Sequence, residues 1–231
     1  MSQINSGIRR LLAFPAAYDL FQDLVGARAL RQRWIRDCLK PFPGARILDI
    51  GCGTAEILPL LPEDVRYTGF DMSPAYIGAA KKRYGGRGNF TCESVVVFGQ
   101  ESPAGTVRGL AAASGLGVAV ASSPEPVNGQ FDIAMAFGVL HHLDDQEVHK
   151  LFAGARKALK PGGRMVTMDP SFVANQSPWA HFMVSRDRGR NVRLPDAYAA
   201  LARDAFSQIG VSTWHNALRM PYDHAILECR N

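Results

Sequence analysis

Cysteine is scarce in this chain of 231 residues: Cys38, Cys52, Cys92 and Cys229 are all there is, and they are widely scattered. Neither paired metal-ligand spacing nor disulfide-scaffold density is present, which argues against a cysteine-built metal site and a stapled secreted scaffold and predicts a reducing, cytoplasmic setting. Long apolar runs are missing as well. The longest small-apolar stretch, Gly109 to Ala121, is broken by glycine and too short to cross a bilayer, so no membrane segment is expected. Arg9-Arg10 followed by Leu11-Leu12-Ala13-Phe14 only faintly mimics a secretion signal, because Pro15 interrupts the run and Asp19 soon follows. Charge is modest too: 20% of residues with a net of +5, which permits anionic partners without demanding them. What remains, 47% hydrophobic residues, is an ordinary globular composition at a length that fits one large domain with a small cap.

The organising stretch is Ile47-Leu48-Asp49-Ile50-Gly51-Cys52-Gly53-Thr54-Ala55-Glu56. Its apolar run has the character of a buried strand in a parallel sheet. Gly51 and Gly53 then remove two Cβ atoms where backbone turns sharply and lies close to a ligand. A helix beginning near Ala55 would direct its amides at that ligand and favour an anionic group.

Taken in order, residues 16 to 40 read as two helical pieces broken around Gly26, with Leu30, Trp34 and Leu39 along one face of the second. Residues 1–44 are thus expected to form a helical cap, with the main domain over 45–231. A first strand at 45–50 is followed by a short helix over 56–61, a second strand at 66–71 and a helix opened by Ser73-Pro74. A third strand is expected over 89–93. Residues 94–130 read as an insertion or loop in which only Val95-Val96-Val97-Phe98 and Val118-Ala119-Val120 look strand-like. Phe131 to Phe137 is another buried strand, and Asp144 with Glu147 forms a capping pair for a helix that Gly162-Gly163 should end. A strand follows over 164–169. Pro195 opens a last helix that Gly210 should stop, and two closely spaced strands over 211–218 and 222–229 imply an antiparallel hairpin. The expected fold is α/β, a doubly wound, mostly parallel sheet with an antiparallel C-terminal strand.

Four pieces in this order resemble the class I S-adenosylmethionine-dependent methyltransferases: Ile-Leu-Asp-Ile-Gly-Cys-Gly-Thr (47–54), Gly-Phe-Asp-Met-Ser (69–73), Phe-Asp-Ile-Ala-Met-Ala-Phe-Gly-Val-Leu-His-His-Leu (131–143) and Leu-Lys-Pro-Gly-Gly (159–163). The resemblance implies S-adenosylmethionine as cofactor, S-adenosylhomocysteine as product, and a Rossmann-like sheet. It implies contacts to the methionine end from Asp49, Gly51, Cys52 and Gly53. Asp71 with Met72 would hold the ribose, Glu93 and Ser94 would frame the adenine, and Phe137 and Gly138 would border the sulfonium. Helix capping is the plainer role for Asp71. The family often has glycine where this chain has Ala55.

A nicotinamide enzyme shares Gly-x-Gly and a later acid, but Glu56 stands at its last glycine. A nucleic-acid methyltransferase lacks its usual motif after the fourth strand, where Phe137-Gly138-Val139-Leu140 stands, so nucleic acid is not the expected partner; an RNA or protein acceptor is the alternative to a small molecule. A non-catalytic cofactor-binding protein is the third reading. For catalysis, His142, and after it His141, is the candidate base or acceptor-orienting residue, with packing and a backbone bond as the bland alternative. Their spacing to His149 does not suggest a metal site. Arg186, Arg188, Arg190 and Arg193 form the densest charge cluster and, if not a solvated loop, suit an anionic small-molecule acceptor. Tyr18, Tyr222 and His224 are further pocket candidates.

Overall fold

The computed structural model describes residues 24–98 and 128–231. Tyr18, the first helical piece of the cap, Val118-Ala119-Val120 and most of the 94–130 segment lie outside the described residues.

The chain begins with α1 (Ala27–Trp34), capped by Gly26 at φ 85° and continued by a π-helical turn over Ile35–Leu39. Its stripe at 27, 30, 31 and 34 faces inward, and Trp34 and Leu39 are fully buried. Left-handed Lys40 ends the turn, and the Arg164 guanidinium donates to the Leu39 and Lys40 carbonyls at 2.6 and 2.9 Å. Helix ends leave such carbonyls without partners, so this bond from a distant strand anchors the end of the π-helical turn.

Then follow β1 (Arg46–Ile50), a 3-10 turn over Leu58–Leu60, β2 (Arg66–Asp71), α2 (Pro74–Tyr84), β3 (Gly88–Cys92) and α3 (Val95–Phe98). The second described stretch carries β4 (Phe131–Phe137), a 3-10 turn over Leu140–His142, α4 (Asp145–Ala158), β5 (Leu159–Pro170), α5 (Pro178–Ser185), α6 (Pro195–Ala202), β6 (Gln208–Trp214) and β7 (His224–Arg230). The sheet runs β3-β2-β1-β4-β5-β7-β6. The first five strands are parallel, and β7 lies antiparallel between β5 and β6. Strand order reverses between β1 and β4, so the carboxyl ends of those strands part there and leave a crevice.

Strand alternation sends Leu48 and Ile50 to one apolar cluster and Ile47 to a second on the other face. On the first face Phe152 and Leu151 of α4 and Tyr198 of α6 are buried; on the second, Leu30 and Trp34 of α1 and Ile77 of α2 are. Local signals act as expected at two helix starts. Ser73 Oγ accepts the Tyr76 N–H at 3.3 Å ahead of Pro74, and Asp144 with Glu147 completes a reciprocal capping box, each cap contributing about 1 kcal/mol.

Four expectations are corrected and one element is added. The 56–61 helix shrinks to the 3-10 turn, because Ala55 sits at φ 59° and cannot open an α-helix. Val95–Phe98 is helical, tucking Phe98 against Phe70 at 4.8 Å between ring centres. Gly162-Gly163 lies inside β5 and does not end α4, whose C-cap is Leu159: Lys160 pairs with Asp132 at 2.6 Å rather than with the helix end. Gly210 lies inside β6 instead of stopping α6. Finally α5, which begins at Ser177-Pro178 with the same cap signal as Ser73-Pro74, joins the elements expected.

Candidate active site

One cavity of about 400 Å3 opens at the crevice between β1 and β4. Its first wall begins with the loop after β1. Gly51 and Gly53 adopt φ 74° and 56°, a left-handed conformation that costs an ordinary residue about 1–2 kcal/mol. A Cβ on Gly51 would stand 2.7 Å from Val139 Cγ2, so that position has neither the torsion nor the room for a side chain. Ala55, at φ 59°, takes the strained torsion despite its Cβ, so its difference from the family's glycine is conformational and not only a matter of size. The loop is pinned to its neighbour: the Gly51 and Cys52 amides donate to the Phe70 carbonyl at 2.8 and 3.0 Å, and Gly53 N donates to Asp71 Oδ2 at 3.1 Å. Asp71 Oδ1 accepts the Ser73 amide at 2.8 Å. Asp71 therefore ties two turns together, and burial raises its pKa against those two amide bonds.

Asp49 and Arg31 complete this wall. Asp49 is buried and accepts the Tyr67 hydroxyl at 2.5 Å. Burial pushes its pKa up to about 7; the Tyr67 bond opposes that, the Asp71 charge adds to it, and the Arg31 charge opposes it. Arg31, also buried, stands on the cavity wall with its guanidinium 5.7 Å from the Phe137 ring centre. Sequence reasoning missed it, although the signal was present. Arg31 occupies a core position of the 27/30/31/34 stripe, where an arginine needs a reason to be. Cys52, Phe137 and Gly138 also line the cavity. Asp71, Met72, Glu93 and Ser94 stand outside its lining, with Asp71 and Glu93 side by side at the ends of β2 and β3, where the Glu93 amide donates to the Asp71 carbonyl at 3.0 Å.

The opposite wall comes from the 3-10 turn after β4, the segment after α5 and the start of β7. The two adjacent histidines differ sharply. His141 is buried and fully engaged: Nδ1 lies 2.8 Å from Asp169 Oδ1, and Nε2 lies 3.1 Å from Asp187 Oδ1. Burial disfavours its charge, but the bonds and charges of Asp169 and Asp187 prevail and push its pKa up to about 9. His142 is half-buried on the cavity wall, and its buried Nδ1 has no hydrogen-bond partner. Burial, with the neighbouring His141 charge, lowers its pKa to about 3, so it stays neutral. His224 repeats that pattern at the start of β7, with an unpartnered buried Nδ1 and a pKa lowered to about 4, chiefly by burial. A general base is normally held by a group on its far nitrogen and has a pKa near the working pH. Neither histidine of the pair meets that description: His141 has no free nitrogen, and His142 has no orienting partner.

The arginine cluster also divides. Arg186 and Arg188 line the cavity. Arg190 is exposed and stands away from the lining. Arg193 faces inward to the protein, donating to the Leu140, Leu143 and Asn191 carbonyls at 2.9 to 3.1 Å and to Asp145 Oδ1 at 2.6 Å. The Tyr222 hydroxyl donates to Asp187 Oδ2, and burial with that carboxylate's charge raises the tyrosine's pKa far above its usual value.

Comparison with known proteins follows the same line. A family model described as a methyltransferase domain matches residues 24–205. An O-methyltransferase of Penicillium expansum is 31% identical over 150 residues, which is 64% of this chain and 45% of that protein. The lovastatin diketide synthase of Aspergillus terreus is 28% identical over 145 residues, 58% of this chain and 5% of that protein. The chain thus matches less than half the length of these curated relatives. Among solved structures, a SAM-dependent methyltransferase from Archaeoglobus fulgidus aligns with a TM-score of 0.64 at 17% identity, covering 92% of this chain and 99% of that one. At that identity the likeness is one of fold.

Proposed function

The chain belongs to the class I S-adenosylmethionine-dependent methyltransferases, and from that premise we propose that it transfers a methyl group to an oxygen or nitrogen nucleophile of a small-molecule acceptor bearing an anionic group. One observation carries the reading: a single cavity has a carboxylate, a guanidinium and a glycine loop on one wall, and neutral histidines with Arg186 and Arg188 on the other.

The first wall fits the amino-acid end of the cofactor. Asp49 suits its ammonium, Arg31 suits its carboxylate, and Gly51 and Gly53 let the backbone lie against it without a Cβ in the way. Asp71 uses one acceptor site per oxygen on the Gly53 and Ser73 amides, and a carboxylate has roughly four such sites, so it retains capacity for ribose hydroxyls. Met72, Glu93 and Ser94 at the same sheet edge extend that surface toward the adenine. When bound, S-adenosylmethionine supplies an activated methyl group on sulfur and a neutral leaving group, S-adenosylhomocysteine. The protein's part is then alignment and exclusion of water.

On the second wall Arg186 and Arg188 hold the acceptor's anionic group, while His142 and His224 offer ring N–H donors or acceptors that orient the nucleophile. His142 orients rather than strips a proton, since its pKa lies well below neutrality. An O-methyltransferase among the relatives supports a small-molecule acceptor, and the cavity's depth between two walls favours one over a nucleic acid. No helix among the described residues is long and apolar enough to cross a membrane.

The test is calorimetric titration of S-adenosylmethionine into wild type and Asp71→Ala, followed by an acceptor screen with methyl-labelled donor. Binding to wild type, weakened by at least tenfold in the variant and accompanied by label transfer to a small anionic acceptor, is expected. No binding to folded wild type would sink the reading. Binding without transfer to any acceptor would leave a cofactor-binding protein.

A further inference from the structure

Several of the contacts that hold down the segment after α5 converge on a single residue. The His141 ring sits between Asp169 on β5 and Asp187 on the segment. Asp169 Oδ1 also accepts the His141 amide at 3.2 Å, and Asp187 Oδ1 accepts the Gly189 amide at 2.7 Å. Both oxygens facing the ring are therefore acceptors, and the ring meets them only with both nitrogens protonated. Two residues further on, the Asn191 amide donates to the His141 carbonyl at 3.0 Å.

Gly189 is pressed against the same residue. A Cβ there would stand 2.2 Å from His141 Cδ2 and 2.5 Å from the His141 carbonyl oxygen, and the backbone oxygen cannot turn aside as the end of a flexible side chain could. Arg193 closes the far end through the Leu140 and Leu143 carbonyls. Between Asp187 and Gly189, the two residues that grip His141, stands Arg188, and Arg186 stands just before them; both line the cavity.

We propose that His141 is a positioning residue: as an imidazolium bridging Asp169 and Asp187 it straps residues 186–193 onto the turn after β4 and so fixes Arg186 and Arg188 at the cavity wall. The strap stands without the proposed function and rests on it only in naming that wall the acceptor's. His141 thus has a role in recognition without touching the acceptor.

The protonation sense follows from the surroundings. Asp187 is held well below the usual carboxylate range, its burial outweighed by its bonds to His141, Tyr222 and Gly189, while Asp169, whose pKa burial raises against its bond to His141, faces the other ring nitrogen; His142, His224 and Tyr222, packed nearby, are uncharged at neutral pH, and Arg188 adds positive charge beside His142. The His141 pKa is raised above its usual 6.5 to about 9. The contribution of the strap is thus complete below about pH 6.5 and is lost as pH rises through about 9.

Hydrogen–deuterium exchange of the peptide spanning 186–193, with S-adenosylhomocysteine in excess, tests this. Protection relative to the intrinsic rate should hold at pH 7 and fall at least tenfold as pH rises through about 9. Asp187→Asn removes one of the two charges and should move that fall to lower pH by more than one unit. Gly189→Ala removes no charge, yet should lower protection at pH 7 by tenfold or more. In both variants S-adenosylhomocysteine affinity should stay within twofold of wild type. A profile flat to pH 10.5, or an Asp187→Asn midpoint that does not move, would overturn the proposal. So would full protection in Gly189→Ala. Since exchange is read without turnover, a protein that binds no S-adenosylhomocysteine would defeat the proposed function while the same profile still decided the strap.

Discussion

The two walls of the cavity are built on opposite plans. The wall after β1 is local: Asp49, Gly51, Cys52 and Gly53 follow one another along the chain, and Asp71 pins them from the neighbouring strand. The facing wall is assembled from distant pieces, with His142 after β4, Arg188 after α5 and His224 on β7. Shape on the first wall comes from backbone torsion, and on the second from buried ionic bonds. The first plan suits a ligand that never changes, because torsions cannot be retuned one residue at a time. The second lets side chains change while Asp169, His141 and Asp187 go on holding the segment in place.

The comparison breaks most visibly at Gly51. Gly51→Val meets both the left-handed torsion and Val139, and a combined cost of about 3 kcal/mol corresponds to roughly 100-fold weaker S-adenosylmethionine binding. Calorimetry should show that loss while exchange protection of 186–193 remains as in wild type. Loss of both together would mean that the walls are not independent. The converse substitution is Arg188→Ala. Removing a charge-assisted bond of about 1.5 kcal/mol should raise the acceptor's KM about tenfold, with cofactor affinity unchanged; an unaltered KM would remove Arg188 from recognition.

A smaller effect sharpens the donor side. With a pKa near 7 in the free protein, Asp49 is largely protonated below neutrality. Binding an ammonium group favours its ionised form, so cofactor affinity should rise by several-fold from pH 5.5 to 8.5, with proton release on binding below pH 7. Asp49→Asn should flatten that dependence. The stability effect of the same group has the opposite sign. The fold keeps the proton longer than the unfolded chain does, so stability falls as pH rises from about 4 to 7.

This difference in plan also explains what the sequence disclosed. β2 and β4 were legible to the residue, and the loop after β1 nearly so, because apolar runs and glycine turns are written in consecutive positions. The Asp144 capping box was legible for the same reason. Sequence resemblance then carried the cofactor. The second wall was only partly legible. Arg186, Arg188 and His142 line the cavity, but nothing local separates Arg190 and Arg193 from the other arginines; that takes Asp145 and the carbonyls of the 140–143 turn. The contrast between His141 and His142 depends on Asp169 and Asp187, neither of which is near in sequence. Gly189 stands between two arginines, and nothing local reveals that His141 presses against it. Val95–Phe98 misled because β-branched residues favour strands, whereas burial of Phe98 beside Phe70 decides for a helix.

The placement of β7 between β5 and β6 sets an order of assembly. As the chain leaves the ribosome, β2 to β5 can each pair with a strand already made, but β6 cannot: its partner among the described strands is β7, which is synthesised after it. Newly made β6 must wait as an unpaired edge until the chain turns back through Tyr222 and His224 and fills the gap beside β5. The donor wall can therefore form while the chain is still growing, and the acceptor wall closes last, when the final hairpin slides into the sheet.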